Sequence, residues 1–377
     1  MMSDLRYILL SVALMAVALG CEPESTPEGS GSQTEVSVTV AGEDTKSVLS
    51  EPDVSGTIKD IQVFVFDGNR LDGWRKLSEQ VNTTTVLITP GKRIVWVVLN
   101  VDEDIHAKFS TEDHEMTFAD FQSYMVPLQE NESDAVVMAG SVEEELTAGK
   151  DVTVKVRRCV ARVCLDTISA SFRRDKEGAV VTVKGIYLIN LVGEYSFATL
   201  RVPDLWYNQL GNHNPALGDI VFDSFPGEEV VVMNNIYARG ASIIKEDEAY
   251  VDADGGDYTL AEDVSLSGDM AVHGNWVYYV FPNDYDELYS DEWAPRRTML
   301  VLEASVLCPD GETRTGYYPV ALPMLERNKT YIIEDMKLLH YPVEKPYQQM
   351  AISDVFFDVT VLDWEDEYLG EEGEVIL

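Results

Sequence analysis

Four groups of residues in this chain have types and spacings that could do chemistry. The first is Cys21, directly behind Ala18-Leu19-Gly20. Small residues ahead of a cysteine, at the end of the apolar run Tyr7–Leu19, suit cleavage after Gly20 and acylation of the thiol. Acyl chains contribute about 0.8 kcal/mol per buried CH₂, so several of them hold a protein on a membrane without a spanning helix. The second group is Asp252-Ala253-Asp254-Gly255-Gly256-Asp257, hard oxygen ligands at alternate positions with glycines for a tight turn. It lacks the downstream glutamate of a calcium loop, so it reads as an acidic surface loop, with calcium binding the alternative. The third is a basic cluster, Lys155, Arg157, Arg158 and Arg162, in an otherwise acidic chain. Outward strand positions paired with nearby acids at the domain junction are its reading; an anion or partner site is the alternative. The fourth is Trp276, Tyr278 and Tyr279, which could stack on a sugar but fit a strand with core on one face and cover on the other.

Catalytic signatures are missing. His106, His114, His213, His273 and His340 are scattered, with no His-Glu-x-x-His pair for a zinc ion. There is no Gly-x-Ser-x-Gly elbow and no phosphate-cradling glycine loop. Acidic side chains number 66, so a glycosidase-like carboxylate pair cannot be told from chance proximity. The reading is a non-enzymatic protein with no cofactor and no metal. A net charge of −38 repels nucleic acid and acidic lipids. Cys159 and Cys164 lie five apart on one predicted strand and point to opposite faces, so they cannot pair with each other; with Cys308 they read as buried free thiols, with a bridge from Cys308 to one of them the alternative.

The elements that must position these groups are mostly strands. Residues 1–20 read as a cleaved export signal, too short and too polar at its flanks to span a bilayer. Residues 21–33 form a tether rich in Pro, Gly and Ser. Thr34–Ala41 alternates with Val36, Val38 and Val40 on one face, and a polar break follows from Gly42 to Ser47. Ile61–Phe66 is a buried strand ending in the turn Asp67-Gly68-Asn69. Thr83–Thr89 and Arg93–Val101 flank Pro90-Gly91, which signals a hairpin. Thr117 can cap a short amphipathic helix carrying Phe118, Phe121 and Met125. Strands at 136–139 and 152–156 complete a first β-rich unit, residues 34–156. A second, residues 157–353, holds strands at 158–166, 180–190, 229–234, 276–281, 299–308, 313–320 and 330–339. Short strands with Gly, Pro, Asn and Asp turns and almost no helix predict β-sandwiches. The last segment, 354–377, alternates Val355, Phe357, Val359 and Val361 up to Trp364, then turns acidic before Val375-Ile376-Leu377. An apolar chain end needs a sheet to dock on, its own or a neighbour's.

Several stretches together resemble the fimbrillin family, the lipoprotein-derived pilins (type V pili) of Bacteroidales. They are Ile61–Asp67 after the Thr45-Lys46 junction, Met138-Ala139-Gly140, and Val156–Leu165 with Arg158 and Ala161-Arg162-Val163. Tyr279-Val280-Phe281-Pro282-Asn283, Arg327-Asn328-Lys329-Thr330-Tyr331 and Val359-Thr360-Val361-Leu362-Asp363-Trp364 complete the set. The resemblance implies two tandem transthyretin-like sandwiches, a short helix in the first, and export to the outer membrane as a palmitoylated lipoprotein. It implies that a protease outside the cell removes the first strand and that the groove accepts the C-terminal strand of another subunit. The family is typically cut after Arg; the matching position here is Lys46, before Ser47. An uncut subunit would be a base anchor, and a tip subunit usually lacks the C-terminal extension.

The expectation is therefore a structural fimbrial subunit, supporting adhesion, biofilm or colonisation. Thr34–Ala41 is the excisable strand, and Val355, Phe357, Val359, Val361 and Trp364 belong to the donor. Its partners are other copies or related pilins, the outer membrane through the lipid on Cys21, and a host protein or glycan. A fimbrial anchor or tip, or a monomeric glycan-binding surface lipoprotein, is the alternative.

Overall fold

The computed structural model describes residues 33–42, 57–78, 81–131, 135–199, 206–207, 212–214, 219–221, 264–267, 271–283, 297–346, 348, 350 and 354–364. Cys21, Lys46, Ser47, the Asp252–Asp257 array, the strand expected at 229–234 and the chain end beyond Trp364 lie outside them.

The first part of the chain contains β1 (Thr34–Gly42), β2 (Ile61–Asp67), β3 (Arg70–Leu77), β4 (Thr83–Ile88) and β5 (Gly91–Leu99). Helices α1 (Ile105–Phe109) and α2 (Phe118–Ser123) follow, then β6 (Val126–Pro127), β7 (Met138–Leu146) and β8 (Asp151–Arg158). The α2 helix forms where Thr117 predicted it. The Thr117 hydroxyl accepts from the Asp120 N–H, and the Asp120 carboxylate accepts from the Thr117 N–H, a closed capping box.

Seven strands form one sheet in the order β3-β2-β5-β7-β8-β1-β4. The sheet curls until its two ends meet. A Cβ on Gly73 of β3 would lie 2.2 Å from the Leu87 carbonyl oxygen on β4, so only glycine permits that approach. Inside the curl, Val36, Val38 and Val40 pack with Ile61, Val63, Val65, Val95, Val97, Val152 and Val154 as a core of their own. On the other face of β2, Phe64 and Phe66 meet Phe121 of α2. The residues of β2 from Ile61 to Phe66 are thus buried on both faces, and neither face offers the polar stripe that usually marks a strand.

The rest of the chain is also built of strands: β9 (Ala161–Ala170), β10 (Val180–Ile189), β11 (Leu191–Val192), β12 (Glu194–Tyr195), β13 (Trp206–Tyr207), β14 (Asn212–Asn214) and β15 (Asp219–Val221). After them come β16 (Val264–Ser267), β17 (Ala271–Val280), β18 (Met299–Leu307), β19 (Thr313–Ala321), β20 (Lys329–Ile333), β21 (Met336–Leu338), β22 (Val355–Phe356) and β23 (Val359–Asp363). One sheet runs β16-β10-β18-β19. The other runs β22-β21-β9-β20-β23, with β17 on β9 as well. Leu165, Ile168, Val181, Val183, Leu300, Leu302, Tyr331 and Ile333 from both sheets fill one core, the arrangement of a sandwich. That core continues into the aromatic layer under α2, where the Phe197 ring lies 5.4 Å from Phe121. The protein is all-β, with two short α-helices among the described residues.

Several expectations are corrected. The stretch around Pro90-Gly91 is not a hairpin: β4 pairs with β1, whereas β5 pairs with β2 and β7. Gly91, at φ +138°, turns a corner there, and pairing was decided by which strands could close the core. The strand β3 was not predicted because its face is mixed; Gly68 at φ +59° makes the turn that joins it to β2. The strands expected at 136–139 and 152–156 are longer, and β7 runs through Glu143, Glu144 and Glu145. Cys159 precedes β9 rather than lying in it; Cys159, Cys164 and Cys308 are buried and free.

Candidate functional site

The strand β1 lies between two others. It runs antiparallel to β4, with Thr34 opposite Ile88 and Thr39 opposite Thr83, and parallel to β8, with Ser37 opposite Asp151 and Gly42 opposite Val156. Val36, Val38 and Val40 are exposed by only 1%, 0% and 0%. The alternation read in the sequence sets this: odd neighbours face outward and the valines fill the core. Taking β1 away opens a slot three side chains long, with one unpaired edge on β4 and another on β8. An open edge beside an unfilled apolar groove recruits a strand.

At the other terminus, the segment expected to be left over for a neighbour is paired with its own molecule. The strand β23 runs antiparallel to β20, from Lys329 opposite Asp363 to Ile333 opposite Val359, and β22 pairs with β21. Its burial is poor for so apolar a strand. Phe357 and Val359 are half-buried, while Phe356 and Val361 are exposed at 51% and 46%. Lys329 and Asp363 form an ion pair across the two strands.

Val355 of β22, 3% exposed, is buried nonetheless, and so, fully, is Trp364. The Trp364 ring stacks on Tyr279 of β17 with 5.4 Å between centroids and 9° between planes. The guanidinium carbons of Arg158 and Arg162 stand 4.7 and 5.1 Å from the Trp364 ring centroid. Cations over an indole face are attracted by its quadrupole, more strongly where water is excluded. The Trp364 N–H on the backbone donates to the Asn328 carbonyl. This corrects the outward reading for two of the four residues of the basic cluster. Lys155 and Arg157 are exposed, but Arg158 and Arg162 are buried against a ring that belongs to the chain end. Trp276, Tyr278 and Tyr279 are likewise all buried, so no sugar-stacking platform exists there.

The clamp sits where the two parts of the chain meet. Arg327 donates from Nη2 to the Ala139 and Arg157 carbonyls and from Nε to the Arg158 carbonyl. Gly140 is held so close that a Cβ would lie 1.9 Å from the Lys155 carbonyl oxygen. Five of the six stretches that carry the family resemblance therefore converge in space: Met138-Ala139-Gly140, Arg158 and Arg162, Tyr279, Arg327-Asn328 and Trp364. Their scatter along the sequence hides one junction.

Two carboxylates lie below the surface of the first part. Asp72 accepts from the Arg93 Nε–H and the Thr89 N–H, both at 2.9 Å, and from the Thr89 hydroxyl at 2.8 Å. Burial by itself raises a carboxyl pKa, yet Arg93 and Thr89 hold Asp72 below its usual value. Asp60 accepts only a long bond from the Val101 N–H, and burial pushes its pKa up to about 6. Neither lies in a cluster of metal-binding side chains, and none with three or more His, Cys, Asp or Glu is found among the described residues. Sequence reasoning missed Asp72, Arg93 and the partners of Trp364, because each pairing joins residues far apart in the chain.

No family model matches this chain, and no curated protein matches it. Solved structures do. A candidate cell adhesion protein from Bacteroides eggerthii DSM 20697 superposes with a TM-score of 0.57 at 16% identity, covering 89% of this chain and 97% of its own. One from Parabacteroides distasonis ATCC 8503 gives the same TM-score, identity and coverage. A fimbrilin (FimA) from Porphyromonas gingivalis W83 superposes at 0.53 with 15% identity, covering 88% of this chain and 97% of its own. The fold is fimbrillin-like. At these identities the likeness is one of architecture, and it extends over nearly the whole length of each solved protein.

Proposed function

We propose that the chain is a structural subunit of a cell-surface fimbrium, exported as a lipoprotein through Cys21 and polymerised by strand exchange. Cleavage between Lys46 and Ser47 releases β1, and the C-terminal segment of another copy, from Val355 onward, enters the slot. The observation that carries this reading is β1 itself: three buried valines on one strand, paired along both edges. The fold shared with the P. gingivalis fimbrilin supports it.

The energetics favour exchange once β1 has gone. Refilling three valine positions regains about 1.5–3 kcal/mol each. At home, Val361 remains 46% exposed and Phe357 and Val359 are half-buried, so the donor gains burial by moving. Against that stands the loss of the Trp364 clamp and the cost of association. Donor and acceptor surfaces differ, so the contact builds open filaments rather than closed dimers.

Cleaved protein should form ladders on unheated gels, and a variant lacking 354–377 should stay monomeric although it still loses β1. Ladders from the truncated protein would sink the proposal. N-terminal sequencing of material from cells separates the roles: Ser47 marks a stalk subunit, and an acylated Cys21 marks an uncut anchor. A monomeric glycan-binding role finds no platform at Trp276, Tyr278 and Tyr279, which are buried. No catalytic role is proposed.

A further inference from the structure

Asn100 is one residue that neither the core nor the slot explains. It follows β5 with φ +60°, a left-handed conformation, and is only 4% exposed. Its amide oxygen accepts from the Lys59 N–H at 2.8 Å. Its amide nitrogen donates to the Thr57 carbonyl and to the Val136 carbonyl, both at 2.8 Å. The Asn100 N–H donates to the Asp60 carbonyl, and the Val101 N–H to the Asp60 carboxylate. Every backbone contact of Thr57, Lys59 and Asp60 named here ends on Asn100 or Val101. Ile58, between them, is 8% exposed and belongs to the same core as Val36, Val38 and Val40.

A primary amide suits this task because it donates and accepts at once, and asparagine tolerates the left-handed backbone that aims it. Thr57–Asp60 is the stretch that leads directly into β2. A protease needs an extended, detached run of backbone, so peptide bonds held in hydrogen bonds are cut only after local opening.

We propose that Asn100 is a trimming stop: it fixes the boundary between the part of the N-terminal segment that can be excised and the part that must stay. This rests on the excision reading above and adds its limit. With β1 gone, Thr57–Asp60 stays fastened, Ile58 still closes one end of the core, and the new N-terminus cannot peel back into β2. Lys46 and Lys59 then make a matched pair of scissile candidates: the first is the expected cut, and the second is pinned by Asn100.

The test is digestion of the full mature chain with a Lys-specific endoprotease, reading new N-termini by mass spectrometry. Native protein should give Ser47 and no Asp60. Asn100→Gly keeps the φ > 0 backbone but removes the amide, and cleavage after Lys59 should quicken about tenfold or more while Lys92, on β5, stays intact. Where that variant unfolds outright, shown by cutting at Lys92, Asn100→Asp serves instead, keeping the acceptor for Lys59 and losing both donors. Equal cleavage after Lys46 and Lys59 in native protein overturns the proposal, as does a folded variant with Lys59 still protected. Native protein uncut after Lys46 would instead count against excision, and the comparison at Lys59 would still decide the role of Asn100.

Discussion

Asp60 and Asp72 are both nearly dry, yet protonation moves stability in opposite directions at the two. Asp72 is held below the ordinary carboxylate pKa, by Arg93 and Thr89 against the effect of burial. Its contribution is present above the unfolded value near 4 and is lost as pH falls through the folded one. Because its side chain and that of Arg93 are exposed by only 1% and 8%, Asp72→Ala should leave the buried Arg93 with only the longer, more exposed pairing to Asp67 at 3.4 Å and cost about 2–3 kcal/mol in urea unfolding. Asp60 behaves the other way. Its folded pKa is raised to about 6, so stability falls as pH rises from about 4 to 6, where the unfolded chain ionises first. Asp60→Asn keeps the acceptor oxygen and removes the charge. It should melt above wild type at pH 8, by about 1–2 kcal/mol, and level with it at pH 4. A variant equally stabilised at both pH values would refute that account.

At the scale of elements, the two ends of the chain are held in different ways. Strand β1 is secured by side-chain burial between two neighbours, whereas β23 has a single paired edge and depends on Trp364. Trp364→Ala should cost about 3–5 kcal/mol if the whole fold reports it. If the clamp holds only the chain end, the effect is local: the amides of Val359–Asp363 exchange at least about tenfold faster and β9 is unaffected. On the strand-exchange reading the same variant should also donate its C-terminus faster. Slower polymerisation by Trp364→Ala would mean that the indole acts in the acceptor's slot instead. Gly140→Ala tests the junction beside the clamp. Its Cβ would meet the Lys155 carbonyl at 1.9 Å, so β7 and β8 must separate there, and the melting temperature should drop by several degrees.

For the molecule as a whole, a net charge of −38 sets a long-range repulsion between copies. Any polymer must form through short-range, apolar contacts that outweigh it. Raising ionic strength from about 0.01 M to 0.5 M shortens the screening length severalfold. Polymerisation of cleaved subunits should therefore speed up with salt, read by light scattering. A rate that falls with salt would point to ion pairs between subunits and against an exchange driven by burial. The shared core between the aromatic layer under α2 and the second sandwich gives the protein one continuous body on which β1 and the Trp364 clamp sit.

Much of this was legible without coordinates. Two-residue alternation placed Val36, Val38 and Val40 on one face, Thr117 marked α2, and the apolar run Val355–Trp364 announced a strand in need of a sheet. Those signals are local: strand period, cap chemistry and composition act over a few residues, so the sequence carries them by itself. What the tertiary structure alone decided is pairing. Pro90-Gly91 has the chemistry of a hairpin, yet β4 went to β1 and β5 to β2, because closing the core over Val36–Val40 stabilises more than a local turn does. Arg158 and Arg162 look like outward charges until a tryptophan far along the chain comes to lie against both. Asn100 reveals its use only when Thr57 and Val136 are both within 2.8 Å of its amide. Contacts between residues distant in sequence leave no periodic trace, and here they determine what each end of the chain is tied to.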